Sequence, residues 1–300
     1  MEVYDVVIAG GSYAGLSAAL SLGRALRNVL VIDSGNPCNR KAAHSHNFLT
    51  NDGSKPRAIH EKARTQAEYY PSVRFMKGLV TNVVPADNLF KVSTEKEGEF
   101  LSRKVLFATG ITDTIPNIEG FSECWGISIL HCPYCHGYEI RNRKTGILAN
   151  GDTAFEMAKT IRQWTKDLTL FTNGTSTLNP EQVRLLNKNS VIVVENAIDY
   201  IEHDNGCIQQ LHFKDAMPEK LAALFTQLPF IQQCGVPEQL GCEMTEKGFI
   251  QVSKCMETSV PGIYAAGDCL SLFRSVANAV ASGNKAGALI NKQLTEEEFI

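Results

Sequence analysis

Two cysteines three positions apart carry the strongest chemical signal in this chain, within His131-Cys132-Pro133-Tyr134-Cys135-His136-Gly137-Tyr138-Glu139. Thiols at i and i+3 near a helix start can close a disulfide, and the helix dipole there lowers the thiolate pKa. The flanking histidines suit proton transfer, because imidazole titrates near neutral pH. A zinc site would need two further ligands at similar spacing, and no second Cys-x-x-Cys exists. A structural pair without chemistry is the other alternative. The chain holds nine cysteines, an odd number without the spacing of a disulfide framework. Cys38, Cys124, Cys207, Cys234, Cys242, Cys255 and Cys269 read as small, buried, apolar-like residues.

A second group of residues points to a dinucleotide. Gly10-Gly11-Ser12-Tyr13-Ala14-Gly15 follows the apolar strand-like Val3–Ala9 as a tight turn and helix start, which Ser17 to Arg24 continues as an Ala/Leu-rich helix. A further apolar strand, Val29–Ile32, ends in Asp33-Ser34, so that Asp33 stands eighteen residues beyond Gly15. That is a βαβ unit. Its turn lets backbone amides approach a pyrophosphate at a helix N-terminus, and Asp33 can accept hydrogen bonds from a ribose diol. Ser12 replaces the middle glycine of G-x-G-x-x-G but is small enough to keep the approach open.

The elements that must position these residues follow from the rest of the pattern. Val105–Ala108 reads as a buried strand closed by Thr109-Gly110, and Pro116 and Gly120 mark a linker. A second βαβ pattern starts at Gly146–Ala149, with a helix expected from about Ala154 to Trp164 and a strand at Leu168–Phe171. Strand-like runs recur at Val191–Glu195, Ile208–Phe213 and Leu224–Phe225. The stretch Leu221–Phe230 reads as a helix-to-strand transition, with an amphipathic helix as the lesser alternative. Trp164 and Phe171 are expected in the core. An Ala/Gly-rich helix begins near Val276. The expected fold is α/β, with two Rossmann-like dinucleotide-binding domains, one inserted into the other.

Composition bounds the partners. With 300 residues, 44% hydrophobic and 20% charged, the chain has the make-up of a globular protein. A net charge of −3 argues against nucleic acid and anionic membrane as partners. No apolar run approaches a membrane span and no signal-peptide pattern opens the chain, so a cytoplasmic location is expected.

Two distant segments add to the dinucleotide signal. Ala108-Thr109-Gly110 and Thr258–Asp268, which ends in Ala265-Ala266-Gly267-Asp268, resemble the second and third FAD signatures of the flavoproteins with two dinucleotide-binding domains. The resemblance implies that Asp268 binds the ribityl chain and that Arg274-Ser275-Val276 opens a helix aimed at the flavin. Together with the Cys-x-x-Cys, the chain resembles the low-molecular-weight thioredoxin reductases almost end to end. That family implies an FAD domain of residues 1–113 and 244–300 and an inserted NAD(P)-binding-like domain of residues 114–243 carrying the thiol pair. It implies a homodimer in which the inserted domain rotates, Cys135 next to the flavin, and Cys132 as the thiol that exchanges with a thioredoxin-like protein or a small disulfide. The loop of His44, His46 and Asn47 would run near the flavin, with Asn47 as a hydrogen-bond partner.

The chain departs from the family at two places. The family's aspartic acid after the second cysteine is His136 here, and the Cys-Pro-Tyr-Cys-His form resembles a divergent branch that includes dithiol oxidases of small sulfur metabolites. In the second βαβ pattern Ala149 replaces a glycine, and Thr172-Asn173-Gly174 stands where the family has a His-Arg-Arg clamp for the NADPH 2′-phosphate. Three functions therefore stay open: a disulfide reductase, a dithiol oxidase that passes electrons to oxygen, and a flavin-binding sensor without turnover. NADPH, NADH and another electron donor stay open with them.

Overall fold

A computed structural model of the chain describes residues 2–96 and 98–300. Contacts divide it into two units, Met1–Arg40, Phe48–Thr112 and Phe230–Ile300 in the first and Lys41–Asn47 and Asp113–Pro229 in the second.

The first unit begins with β1 (Val3–Ala9), α1 (Tyr13–Arg24), β2 (Val29–Asp33), α2 (Pro56–Glu68) and β3 (Val73–Lys77). It continues through β4 (Val80–Ala86), β5 (Leu89–Thr94) and β6 (Glu99–Phe107) before β7 (Ile111–Asp113) leads out. The second unit comprises α3 (Phe121–Cys124), β8 (Ile129–Leu130), α4 (Pro133–His136), β9 (Thr145–Leu148), α5 (Gly151–Ile161), β10 (Leu168–Phe171) and α6 (Pro180–Lys188). It ends with β11 (Ile192–Val194), β12 (Ile198–Asp204), β13 (Cys207–Phe213), β14 (Glu219–Lys220) and β15 (Ala223–Thr226). The chain returns to the first unit through β16 (Phe230–Gln232), α7 (Val236–Gln239), β17 (Ile263–Ala265) and α8 (Val276–Phe299).

Both units are α/β with a parallel sheet of Rossmann type. In the first the order is β3-β2-β1-β6, with β17 also on β6 and the antiparallel β5 and β4 continuing from it. Ile8 aligns with Val31 on one side and Leu106 on the other, and Ala265 aligns with Phe107. Strand β1 reads as a near-continuous apolar run because helices and loops bury both of its faces. The second unit orders its strands β11-β10-β9-β15-β8, all parallel, beside an antiparallel β12-β13-β14 sheet. Helix α8 packs against α1 at glycine distance. A Cβ on Gly283 would overlap the Ala14 carbonyl oxygen, and one on Gly287 would stand 2.8 Å from that of Ala18.

Several sequence expectations shift. Helix α1 starts within the glycine turn at Tyr13 and ends at Arg24, as expected, whereas α5 spans Gly151–Ile161 instead of running to Trp164. The stretch Leu221–Phe230 holds the buried strand β15 and no helix. The second unit ends at Pro229, fourteen residues before the expected end at 243. Cys234, Val236 and Cys242 explain the difference, since they pack into the first unit's core with Tyr4, Val7 and Val80. Phe171 is core, but Trp164 is only partly buried. Of the seven cysteines outside the pair, Cys124, Cys234, Cys242 and Cys269 are buried, while Cys38, Cys207 and Cys255 are exposed. Burial pushes the Cys269 thiol up to about 12, which keeps it protonated and unreactive.

Candidate active site

The glycine turn of the first unit is built for close approach. Gly10 has φ +103°, and a Cβ there would overlap the carbonyl oxygen of Ala108 at the end of β6. A Cβ on Gly11 would stand 2.8 Å from that of Asp33, and one on Gly15 would strike the Gly10 carbonyl. Asp33 Oδ1 accepts the Gly11 amide at 3.0 Å, which fixes the carboxylate at the mouth of the turn. Ser12 is the N-cap of α1, yet its side chain makes no capping hydrogen bond, so the first-turn amides have no side-chain acceptor. These groups can receive a diphosphate.

Around the turn, the Tyr13 hydroxyl donates to the Pro56 carbonyl at 3.1 Å and accepts from Asn39 at 3.2 Å. Burial raises the Tyr13 pKa, with the Asn39 hydrogen bond acting against it. Ala14 is buried against α8. The Thr109 hydroxyl is buried without a hydrogen-bond partner in the protein, the sort of group a bound ligand satisfies. Gly110 has φ +70° with no heavy atom near its missing Cβ. The Gly267 amide donates to Ser282 at 3.0 Å, and the Arg274 guanidinium lies 3.8 Å from the Asp268 carboxylate. Ser275 caps α8 by accepting the Asn278 amide, with Val276 as the first helical residue. Ser34 follows β2 directly. These residues all belong to the first unit; Asn47, with φ +59°, groups with the second. The turn, the orphan hydroxyl and the carboxylates fit FAD.

In the second unit Cys132 and Cys135 form a disulfide, with Cα atoms 5.3 Å apart. Cys132 is the N-cap of α4, Pro133 stands at its first position, and Cys132 Sγ accepts the Cys135 amide at 3.1 Å. Proline fits there because the first helical N–H has no intrahelical acceptor. That short helix rests on Trp164. A Cβ on Gly137 would lie 2.8 Å from the indole, and Tyr134 meets the same ring edge-on at 5.5 Å. Both cysteines are partly exposed, and Tyr134 is 63% exposed beside them. His136 closes the helix. Burial holds its pKa below 6.5 and His46 lowers it further, while Glu139 acts the other way. Glu139 in turn lies 3.6 Å from His46 Nε2. His131 packs at 6.1 Å from Trp125. Among the described residues no cluster of three or more His, Cys, Asp or Glu side chains is placed to hold a metal.

The second dinucleotide turn is different. Asn150 caps α5 with its own side chain, accepting the Gly151 amide at 2.9 Å, and the same oxygen accepts the Thr177 amide at 2.8 Å. The Thr172 hydroxyl donates to the Gly174 carbonyl, and Asn173 accepts the Ile198 amide at 2.8 Å. No cation stands at Thr172–Thr177.

Residues 4–283 match the pyridine nucleotide-disulphide oxidoreductase family. The chain belongs to that family. It is an FAD-dependent disulfide oxidoreductase, of a family that joins flavin to nicotinamide nucleotide chemistry. It is 32% identical to thioredoxin reductase tcpT of Claviceps purpurea, covering 98% of this chain and 95% of that one. Thioredoxin reductase sirT of Leptosphaeria maculans is 30% identical, at 97% and 94% coverage. Among solved structures, an oxidoreductase from Agrobacterium tumefaciens superposes with a TM-score of 0.92 at 37% identity, covering 98% of this chain and 99% of that one. A putative thioredoxin reductase from Bacillus anthracis does so with the same TM-score and coverage at 31% identity. No helix of the described residues is long and apolar enough to cross a membrane.

Sequence reasoning missed several participants. His60 Nε2 lies 3.0 Å from the Gly11 carbonyl across 49 residues, and Asn39 reaches Tyr13 across 26. Neither belongs to a motif. Trp164 carried a signal only as an aromatic of the second unit, and its place under the thiol helix depends on tertiary packing.

Proposed function

We propose that this chain catalyses thiol–disulfide exchange at Cys132–Cys135, coupled to FAD held by the first unit, with a protein or small-molecule disulfide or dithiol as the partner. The observation that carries the reading is the disulfide at the start of α4, partly exposed and followed directly by a histidine whose pKa burial depresses. In this proposal the cofactor contacts come from Gly10, Ser12, Tyr13, Ala14, Gly15, Asp33, Ser34, Thr109, Gly110, Gly267, Asp268, Arg274, Ser275 and Val276, with Asn47 added from the second unit. In this reading the first unit serves as the FAD domain and the second as the inserted domain carrying the thiols. When bound, FAD supplies the two-electron store with which the pair exchanges.

The residues divide the work. In the reducing direction a Cys132 thiolate attacks one sulfur of the substrate disulfide, and the substrate's other sulfur leaves as a thiolate. Cys135 then attacks Cys132 Sγ, re-forming the pair and releasing the second substrate thiolate, so two electrons pass to the substrate. The relatives named thioredoxin reductase support this direction. A second reading runs it in reverse: a dithiol attacks Cys132 Sγ and Cys135 leaves as thiolate. The ring nitrogen of neutral His136 then takes the proton of the second substrate thiol, whose sulfur attacks the first substrate sulfur and releases Cys132 as thiolate, leaving the pair reduced. The net reaction turns a dithiol and oxygen into a disulfide and hydrogen peroxide. Burial keeps His136 neutral at pH 7, the form that can accept this proton.

Anaerobic titration of the purified flavoprotein with NADH, NADPH and a dithiol in parallel separates the directions. Flavin bleaching by a nicotinamide supports the reductase, whereas bleaching by dithiol alone, with peroxide formed on admitting air, supports the oxidase. Cys135→Ser should keep FAD bound and lose disulfide turnover in either case, and full activity in that variant would refute the proposal.

A further inference from the structure

We infer that the second unit's dinucleotide turn is closed by a latch of Asn150 on Thr175–Thr177, so that neither NADH nor NADPH binds there. A pyrophosphate needs free backbone amides at the first helical turn and no side chain over them. Here the first amide is taken and a side chain lies over the turn. The Gly151 amide is taken by Asn150 Oδ1 at 2.9 Å. That oxygen is saturated, since it also accepts the Thr177 amide at 2.8 Å and the Thr177 hydroxyl at 3.1 Å. The Asn150 amide group donates to the Thr175 carbonyl at 2.9 Å, which ties both ends of the side chain to one segment. Thr177 lies over the turn itself: a Cβ on Gly151 would meet its hydroxyl at 2.9 Å.

Electrostatics reinforce the closure. Asp152 sits in the first turn of α5, where its negative charge already answers the helix dipole and repels a diphosphate. Its carboxylate is held by Gln182 at 2.7 Å, and Gln182 also completes the capping box of α6 with Asn179. The 2′-phosphate position offers no compensating charge. The Thr172 hydroxyl and Asn173 Oδ1 are spent on Gly174 and Ile198, and no lysine or arginine lies between Thr172 and Thr177. The family's nicotinamide chemistry therefore does not fit this unit. The inference stands whichever way the thiol pair turns.

Calorimetric titration of the intact flavoprotein with NADH and NADPH tests it directly, because binding is read without turnover. The wild type should show no saturable heat up to millimolar nucleotide. Asn150→Gly combined with Thr177→Ala should gain at least tenfold in NADH affinity over that limit. Thr177→Gly alone, a surface change that leaves the cap of α5 in place, should gain part of it. Saturable wild-type binding below about 100 μM, which would correspond to more than ~5 kcal/mol of binding free energy, overturns the inference. Wild-type silence with no gain in Thr177→Gly or the double variant overturns the latch as its cause.

Discussion

Replacing Gly10 by alanine should cost the first unit both stability and FAD, and Gly35→Ala supplies the control. Both glycines hold positive φ, +103° at Gly10 and +80° at Gly35. An L-residue at such angles costs about 1–2 kcal/mol. At Gly35 that is the whole cost, since no heavy atom lies within 4 Å of its missing Cβ. At Gly10 the new methyl would overlap the Ala108 carbonyl oxygen and stand 2.8 Å from its carbon. That carbonyl cannot retreat cheaply. The Ala108 amide is bonded to Ala9 at 2.8 Å and the Gly10 amide to Ile32 at 2.8 Å, which pins both strands. Forced overpacking adds about 1–3 kcal/mol, so Gly10→Ala should exceed Gly35→Ala by that amount. This is a large share of a total near ~5–15 kcal/mol. Urea midpoints of the apoproteins and FAD per chain after purification measure the two effects. Gly35→Ala should retain FAD with a small loss in midpoint, while Gly10→Ala should be flavin-depleted and markedly less stable. Equal midpoints and equal flavin content would refute the close-approach argument.

Two further outcomes concern charge. Burial sets the His136 pKa below its ordinary 6.5, so the neutral form dominates at pH 7. Dithiol-dependent flavin reduction should therefore fall only below pH 6.5, as the imidazole protonates, and His136→Gln should flatten that acid limb in a stopped-flow pH series. Hydrogen bonds from Arg27 and then Arg103 hold the Glu298 carboxyl at about 2, below its ordinary 4.5. Its contribution to stability is fully present above 4.5 and is lost as pH falls from there toward 2. The urea midpoints of wild type and Glu298→Gln should differ at pH 6 and converge toward pH 2, and the gap should shrink with salt because the pair is exposed. A gap that is independent of pH would assign the effect to packing instead.

The sequence makes the thiol helix and the first dinucleotide turn legible for local reasons. Proline after Cys132 and the glycines after β1 each answer a backbone requirement within a few residues, so their chemistry can be read without neighbours. What stays hidden comes from distant partners. His60 reaches the turn from the exposed-looking helix α2, and Trp164 supports Gly137 from beyond the end of α5. The return at Phe230 was hidden for another reason. Residues 230–243 carry neither the period of a helix nor that of a strand, yet Cys234, Val236 and Cys242 are buried in the first unit's core.

The chain builds the same strand–turn–helix twice, and the N-cap residue decides what each turn can receive. Serine at position 12 leaves its side chain out of the cap, so the amides at the start of α1 keep their dipole directed outward. Asparagine at position 150 spends its oxygen on the first amide of α5 and its nitrogen on a neighbouring carbonyl, so that amide is satisfied from within. A satisfied amide gains little from a phosphate, since binding must first break the hydrogen bond that the protein already makes. The departure from the glycine pattern at Ala149-Asn150 is visible in the sequence as a missing residue type, but its effect is the added acceptor. Restoring a glycine at position 149 alone should therefore leave the second turn closed, because Asn150 and Thr177 remain in place. NADH binding gained by Ala149→Gly in the same calorimetric titration would show that backbone freedom, and not the latch, is what the turn lacks.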